Sequence, residues 1–273
     1  MIDIHSHILP GLDDGAKSMD EMLMIVRQLQ EIGFNTLIAT PHVMEGYGFL
    51  SPEEILAATE QVRERVGEAG ISVEILPGAE NYIFPDMAKW ANDGRLLTLG
   101  NIGKYLLVEL PMLEIPQYTD QVFLELQVQG MTPVLAHPER QRVLADEPER
   151  LLDWAKKGVL FQLNLRSLSG KYGPRARQLA EMMLNSDLIH FIGSDAHCVS
   201  QSESTYLEAL KIVKEIVGED SFQEVTLTNS QSIVEGKSLQ GVKDYFLIEP
   251  FLLFKERKSE FWSLFKRLCG RSL

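Results

Sequence analysis

Cysteine is nearly missing from this chain. Cys198 and Cys269 are the only two in 273 residues, and no Cys-x2-Cys pair occurs. That argues against a disulfide framework and a zinc ribbon, and makes a reducing cytoplasm the default compartment. Long apolar runs are missing too: none approaches the roughly 18 residues of a membrane span. A cationic surplus is lacking, since 26 Lys and Arg face 39 Asp and Glu for a net charge of −13. A nucleic-acid backbone is therefore not an expected partner. No glycine-rich phosphate loop follows the first strand-like run, which counts against a dinucleotide-binding sheet. Chemistry-bearing residues begin at Asp3, which leaves no room for a cleaved signal peptide. Internal repeats and low-complexity segments are also wanting.

What remains is an alternation of apolar runs and helix-patterned segments. Strands are expected at 2–7, 36–40, 73–76, 105–110, 133–136, 159–165 and 188–193. Ser18 can cap a helix whose apolar face is Met22, Ile25, Val26, Leu29 and Ile32, with Gly33 as its stop. Ser51-Pro52-Glu53-Glu54 is a capping box with proline at the first helical position. Further helices are expected near 86–92, 119–129, 148–157, 175–185 and 203–217. Strands apolar on both faces and joined by helices predict a parallel sheet. Seven such units predict an α/β fold, a (β/α) barrel one unit short of eight, over residues 1–250. An open doubly wound sheet is the alternative.

Histidine is clustered. Five of the six fall in Asp3-Ile4-His5-Ser6-His7, Thr40-Pro41-His42, Ala136-His137-Pro138-Glu139-Arg140 and Ser194-Asp195-Ala196-His197, each just after an apolar run. Glu80 and Glu109 end similar runs. On an extended chain, alternate residues share a face, so His5 and His7 can reach one ion, as can Asp195 and His197. Mixed imidazole and carboxylate suit zinc, manganese or iron. Ligands scattered along the chain at strand ends are what a metal site at a barrel mouth requires.

These motifs resemble the polymerase-and-histidinol-phosphatase (PHP) family, and within it the bacterial protein-tyrosine phosphatases of capsule and exopolysaccharide operons. The matching stretches are the run from Asp3 to Gly15, Ala39-Thr40-Pro41-His42, Pro77-Gly78-Ala79-Glu80, Ala136-His137-Pro138-Glu139-Arg140, Ser167-Leu168-Ser169-Gly170-Lys171-Tyr172-Gly173 and Ser194-Asp195-Ala196-His197. The resemblance implies a distorted seven-stranded barrel with a trinuclear, usually manganese-activated site; iron, zinc and magnesium are alternatives. It implies a first ion on His5, His7, Glu80 and Asp195. A second would bind Glu80, Glu109 and His137, and a third Asp14, His42 and His197. Arg140 matches the phosphate-contacting arginine. A second arginine, common in the family after the Asp-x-His pair, is missing from 198–204.

The implied activity is hydrolysis of phosphotyrosine by metal-activated water. Clustered divalent ions and Arg140 supply positive charge to the phosphoryl oxygens. Asp195 and His42 both remain candidates for donating a proton through water. The implied substrate is the phosphotyrosine tail of a bacterial tyrosine kinase that controls polysaccharide export. A small-molecule phosphomonoesterase, acting for example on histidinol phosphate, and a non-catalytic metal-binding subunit are the alternatives.

Other residues take blander roles. His190, inside an apolar run, reads as a hydrogen-bonded core histidine. Cys198 adjoins His197, but a cysteine phosphatase needs Cys-x5-Arg, and position 204 is Ser204. Of Asp13 and Asp14, the family pattern selects Asp14 for the metals. Glu139 is expected to orient Arg140 or cap a helix, and Tyr47 and Phe49 to flank the substrate ring or pack their loop. The tail 251–273 carries six basic and two acidic side chains, so residues 1–250 hold −17. Phe254, Phe261, Phe265 and Leu268 follow helical spacing there. A basic amphipathic helix of this kind suits an anionic membrane surface, which would place the protein at the inner face of the membrane; packing on the barrel or on another subunit is the other reading.

Overall fold

The computed structural model describes residues 1–44, 46, 48–199 and 203–239. The expectations for Tyr47 and for the tail 251–273 fall outside the described residues. Strand β1 (Ile2–Ser6) is buried along its whole length. It leads to helix α1 (Met19–Ile32), capped by Ser18, whose side chain accepts from Glu21 N, and stopped by Gly33 at φ 109. Its buried residues are Met22, Ile25, Val26, Leu29 and Ile32, the stripe read from the sequence. Helix α2 (Pro52–Glu68) starts with both halves of the Ser51/Glu54 capping box in place.

The remaining strands are β2 (Thr36–Ala39), β3 (His42–Val43), β4 (Glu74–Pro77), β5 (Glu80–Tyr82), β6 (Tyr105–Glu109), β7 (Thr132–Ala136), β8 (Leu160–Asn164) and β9 (Phe191–Gly193). The helices between and after them are α3 (Met87–Asn92), α4 (Thr119–Val128), α5 (Arg142–Asp146), α6 (Glu149–Lys156), α7 (Leu165–Leu168), α8 (Pro174–Asn185), α9 (Glu203–Gln223) and α10 (Asn229–Val234). Every strand pair is parallel. One sheet runs β1-β2-β4 and the other β3-β5-β6-β7-β8-β9.

Two breaks separate the sheets, and both have local causes. Pro41 lies between β2 and β3 and has no N–H to give to a ladder. Gly78-Ala79 lies between β4 and β5, where a Cβ on Gly78 would come within 2.8 Å of Ile38 Cγ2. Hydrogen bonds bridge the breaks: Thr40 N donates to Ser6 O at 2.8 Å and Glu80 N to Pro41 O at 3.1 Å. At the other end, Ser6 pairs with Ala196 just past β9. There His7 N donates to Ala196 O at 3.0 Å and Asp195 N to His5 O at 2.9 Å.

The sheet is therefore curled. Ile2 and Ile4 of β1, Ile38 of β2, Tyr105 and Leu107 of β6, Val134 and Ala136 of β7 and Phe191 of β9 share one apolar cluster. A flat sheet would hold β1 and β6 far apart. A second, larger cluster packs the helices onto the outside. The curl brings the C-terminal ends of the strands to one place.

Candidate metal centre

His5 is in β1, His7 follows it, His42 opens β3, Glu80 opens β5, Glu109 closes β6, His137 follows β7, and Asp195 and His197 follow β9. Asp14 comes from the loop after β1. That loop folds back tightly: Gly15 lies so close to His7 that a Cβ there would meet the His7 carbonyl oxygen. Ala16 N donates to the same carbonyl at 3.0 Å. His137 and Asp195 adopt positive φ, 29° and 50°. Such conformations cost about 1–3 kcal/mol each for non-glycine residues and persist where the surroundings hold them.

The floor is fully buried. His5 Nε2 lies 3.1 Å from His7 Nε2, and Glu80 Oε2 lies 3.1 Å from the first and 3.3 Å from the second. Asp195 Oδ1 stands 3.7 and 3.4 Å from the same two nitrogens. His137 Nε2 donates to Glu80 Oε1 at 2.8 Å and is 3.9 Å from Glu109 Oε1. His42 Nδ1 faces Glu80 Oε2 at 3.1 Å and Glu109 Oε2 at 3.5 Å. Asp14 Oδ1 lies 3.4 Å from His197 Nε2 and 3.7 Å from His42 Nε2. All nine expected ligands thus converge. Three sets have mutually close donor atoms: His5, His7 and Glu80; His42, Glu80 and Glu109; and His7, Asp14, His42 and His197. His137 stands beside the second set through its contact with Glu80.

The donor chemistry fits cations. Gln162 Oε1 accepts from His5 Nδ1 at 2.9 Å, and Asp13 Oδ2 accepts from His7 Nδ1 at 2.7 Å. With both Nδ1 atoms protonated, the two Nε2 atoms present lone pairs to each other and to a carboxylate. Glu80 Oε2 is buried and makes no hydrogen bond. Ligand atoms about 2.0–2.2 Å from an ion are spaced about this far apart. Burial opposes charge on His5 and His7, but Glu80, Asp13 and Asp195 outweigh it and raise both. Burial would raise Glu80 and Asp195, yet the surrounding imidazoles, with Arg140 for Asp195, hold both well below the usual range. Glu109 is pushed well up by burial and by the Glu80 charge. Burial and Arg140 push His137 down to about 4.

The rim is open. The side chain of Asp14 is 50% exposed and those of His197 and Arg140 are 22% exposed. Arg140 Nη1 donates to Asp195 Oδ2 at 2.8 Å, and its guanidinium lies 4.3 Å over the Tyr172 ring. Asn164 Nδ2 donates to the same Asp195 oxygen. Glu139, fully buried, accepts from Asn164 N at 3.0 Å and Ser167 Oγ at 2.7 Å. It thus ties the turn after β7 to the start of α7, whose cap is the Asn164 side chain. Burial raises it to about 7.

The supporting roles of four residues were not read from the sequence. Asp13 orients His7, Gln162 orients His5, Asn164 holds Asp195, and Tyr172 stacks on Arg140. Gln162 and Asn164 alternate inside the apolar strand β8, and that period-two polarity is a signal that could have found them. His190 is the expected hydrogen-bonded residue: its Nδ1 accepts from Phe161 N at 3.2 Å. Cys198 is half-buried and forms no disulfide among the described residues.

Nine imidazole and carboxylate groups at the C-terminal ends of a curled parallel sheet define a candidate multinuclear metal centre on an α/β scaffold. The chain belongs to the capsular polysaccharide synthesis family CpsB/CapC, whose model matches residues 1–235. The tyrosine-protein phosphatase YwqE of Bacillus subtilis is 36% identical over 220 residues, covering 81% of this chain and 86% of YwqE. The tyrosine-protein phosphatase CpsB of Streptococcus agalactiae is 29% identical over 241 residues, covering 86% and 98%. A crystal structure from work on Bacillus subtilis YwqE and Streptococcus pneumoniae CpsB, described there as metal-dependent tyrosine phosphatases, superimposes with a TM-score of 0.83. It shares 32% identity and covers 88% of this chain and 96% of that one.

Proposed function

We propose that this protein is a metal-dependent protein-tyrosine phosphatase acting on the phosphotyrosine tail of a bacterial tyrosine kinase that controls polysaccharide synthesis or export. The observation that carries this is the gradient from a buried donor floor to a rim with Asp14 half exposed, on a chain whose relatives are named tyrosine-protein phosphatases. An open rim admits a peptide side chain, whereas a small free substrate favours enclosure. We also read the nine strands as seven, two of them interrupted at Thr40-Pro41 and Gly78-Ala79, which is the distorted seven-stranded barrel with its domain over residues 1–250.

The ligand sets are assigned as His5, His7, Glu80 and Asp195; Glu80, Glu109 and His137; and Asp14, His42 and His197. The metal proposed is manganese, with iron, zinc and magnesium as alternatives that the same nitrogen and oxygen donors accept. When bound, such ions supply Lewis acidity to the phosphoryl oxygens and lower the pKa of water towards about 7. The chain does the rest. Glu80, with one oxygen towards His137 and the other towards His5 and His7, spans two ligand sets. Asp195 is fixed by Arg140 and Asn164 through one oxygen and turns the other to the imidazoles. Arg140 directs its remaining N–H groups to the phosphate.

A tyrosine leaving group has a pKa of about 10, so phenolate departs with little acid help. Asp195 and His42 stay the two candidate proton donors through water; the side chain of His42 is 12% exposed and that of Asp195 is buried.

Hydrolysis of p-nitrophenyl phosphate tests this reading. Activity should vanish on chelation, return with manganese, and survive Cys198→Ala nearly unchanged. Loss of turnover in Cys198→Ala with metals still bound would point instead to a thiol nucleophile; no turnover at all would leave a metal-binding subunit.

No helix among the described residues is long and apolar enough to cross a membrane. For the tail 251–273 we propose contact with the anionic inner face of the cytoplasmic membrane. Full-length protein should then bind anionic vesicles more weakly as salt rises, and protein truncated after Pro250 should not bind. Equal binding by the truncated protein sinks that idea.

A further inference from the structure

Beside Arg140 lies a cavity of about 270 Å³ lined by Glu139, Arg140, Arg142, Tyr172, Arg175 and Ala176 among others, and by none of the nine expected ligands. Three arginines line this one cavity in a chain of net charge −13. Local structure puts them there. Gln141 follows the single turn Pro138–Arg140 in an extended conformation and caps α5, accepting from Leu144 N at 2.9 Å. Its amide donates to Pro111 O at 3.1 Å and Glu114 O at 2.8 Å. Arg142 N donates to Met112 O at 2.8 Å. The β6–α4 loop is thereby pinned beside the arginines, and Arg142 is fixed two residues from Arg140.

Arg175 and Ala176 come from the first turn of α8, a helix of 12 residues. Its N-cap is Gly173, which offers no side-chain acceptor to the first N–H groups. The positive end of the helix thus adds to the three guanidiniums. Arg140 is paired with Asp195 at 2.8 Å, so Arg142 and Arg175 are the two that meet little negative charge. Glu139 also lines the cavity; its Oε1 accepts from Asn164 and Ser167, and its Oε2 makes no hydrogen bond. Asp146 is 3.7 Å from Arg175, and both side chains are about half exposed, a contact of small worth. Arg142 makes no ion pair among the described residues.

We propose that this cavity is an anion subsite for the substrate peptide, taking a carboxylate or phosphate carried a few residues from the phosphotyrosine. This rests on the phosphatase reading above. Arg140 joins the two places: it bonds Asp195 and also lines the cavity. Planar guanidiniums match both anions with paired hydrogen bonds. The subsite makes the enzyme prefer phosphotyrosines with acidic or phosphorylated neighbours.

Three peptides of equal length test it. Each carries one phosphotyrosine, flanked by neutral residues, by glutamates, or by a non-hydrolysable phosphonate analogue of phosphotyrosine. Manganese-loaded wild type should show at least a fivefold higher kcat/KM on one of the anionic peptides than on the neutral one, chiefly through KM. The double variant Arg142→Ser, Arg175→Ser, verified as folded and metal-loaded, should reduce that preference to within twofold. A gain with glutamates identifies a carboxylate subsite; a gain with the phosphonate alone identifies a phosphate subsite. Equal treatment of all three peptides by wild type, or an undiminished preference in the variant, overturns the proposal. Failure of wild type to hydrolyse any of them overturns the phosphatase reading instead. The subsite is then read by fluorescence anisotropy, with the phosphonate replacing phosphotyrosine in the neutral and glutamate peptides. There the glutamate peptide or a doubly phosphonylated one must still bind at least fivefold more tightly than the neutral peptide, and the double variant must abolish the difference; equal binding rejects the subsite.

Discussion

Nδ1 of His7 donates to Oδ2 of Asp13 at 2.7 Å. That bond decides which nitrogen of His7 is free. It leaves Nε2 as a lone pair aimed at Glu80 and His5, the form in which an imidazole binds a cation. Asp13 also accepts from His42 N at 3.0 Å and Gly15 N at 2.9 Å, so one carboxylate organises two candidate ligands and the loop that carries Asp14.

Asp13→Asn is expected to weaken metal binding by about 10–100-fold, the usual range for losing a partner behind a ligand. The amide oxygen keeps one acceptor, so the fold should hold. Manganese affinity measured by titration calorimetry checks this; an unchanged affinity means that Asp13 only shapes the loop.

Glu80 touches two ligand sets and Asp14 one. Glu80→Gln should therefore lose more metal per protein, and more activity, than Asp14→Asn. Elemental analysis of purified protein decides it. Near-wild-type occupancy in Glu80→Gln contradicts the bridging role.

Arg140 stands over Tyr172 with one N–H committed to Asp195. A preorganised donor to a developing charge is worth about 10²–10³ in rate. Arg140→Ala should lose at least tenfold in kcat/KM. Metal content should stay, because Asn164 still holds Asp195. A smaller loss means that phosphate is held elsewhere.

Glu139 gives a pH signature of stability. Burial lifts its carboxyl to about 7 in the folded state, against about 4.3 for a free glutamate. The folded protein therefore binds the extra proton between those values, and stability falls as pH rises through that window. Glu139→Gln does not titrate and should lack this slope. Its stability relative to wild type should rise by roughly 1–3 kcal/mol between pH 4 and pH 8, and be level below pH 4. Urea unfolding with chelator present measures it. Parallel curves across the window show that Glu139 ionises freely when folded.

Much of this site could be read from the sequence because ligands sit where apolar strands end. Tyr105–Glu109 and Thr132–Ala136 match their expected runs to within a residue. The two-residue strand at His42 and the three-residue strand at Glu80 were not legible, since strands that short carry no periodicity. The run expected at 159–165 ends instead at Asn164, whose side chain turns back on Arg166 N and starts α7. Helix α7 is four residues long, too short to announce itself. The supporting residues Gln162 and Asn164 were hidden for a different reason. Amides contact the ligands rather than any ion, so no metal motif includes them. The arginine cavity is assembled from two separate segments, 139–145 and 172–176, and exists only in the fold.

The most direct test of the account compares two substrates on one protein. Manganese-loaded enzyme would be given a phosphotyrosine peptide and histidinol phosphate under identical conditions, with kcat/KM measured for each and repeated after chelation. The account predicts hydrolysis of the peptide at least tenfold more efficient than that of histidinol phosphate, and loss of both on removing the metal. Preference for histidinol phosphate, or peptide hydrolysis that survives chelation, would contradict it.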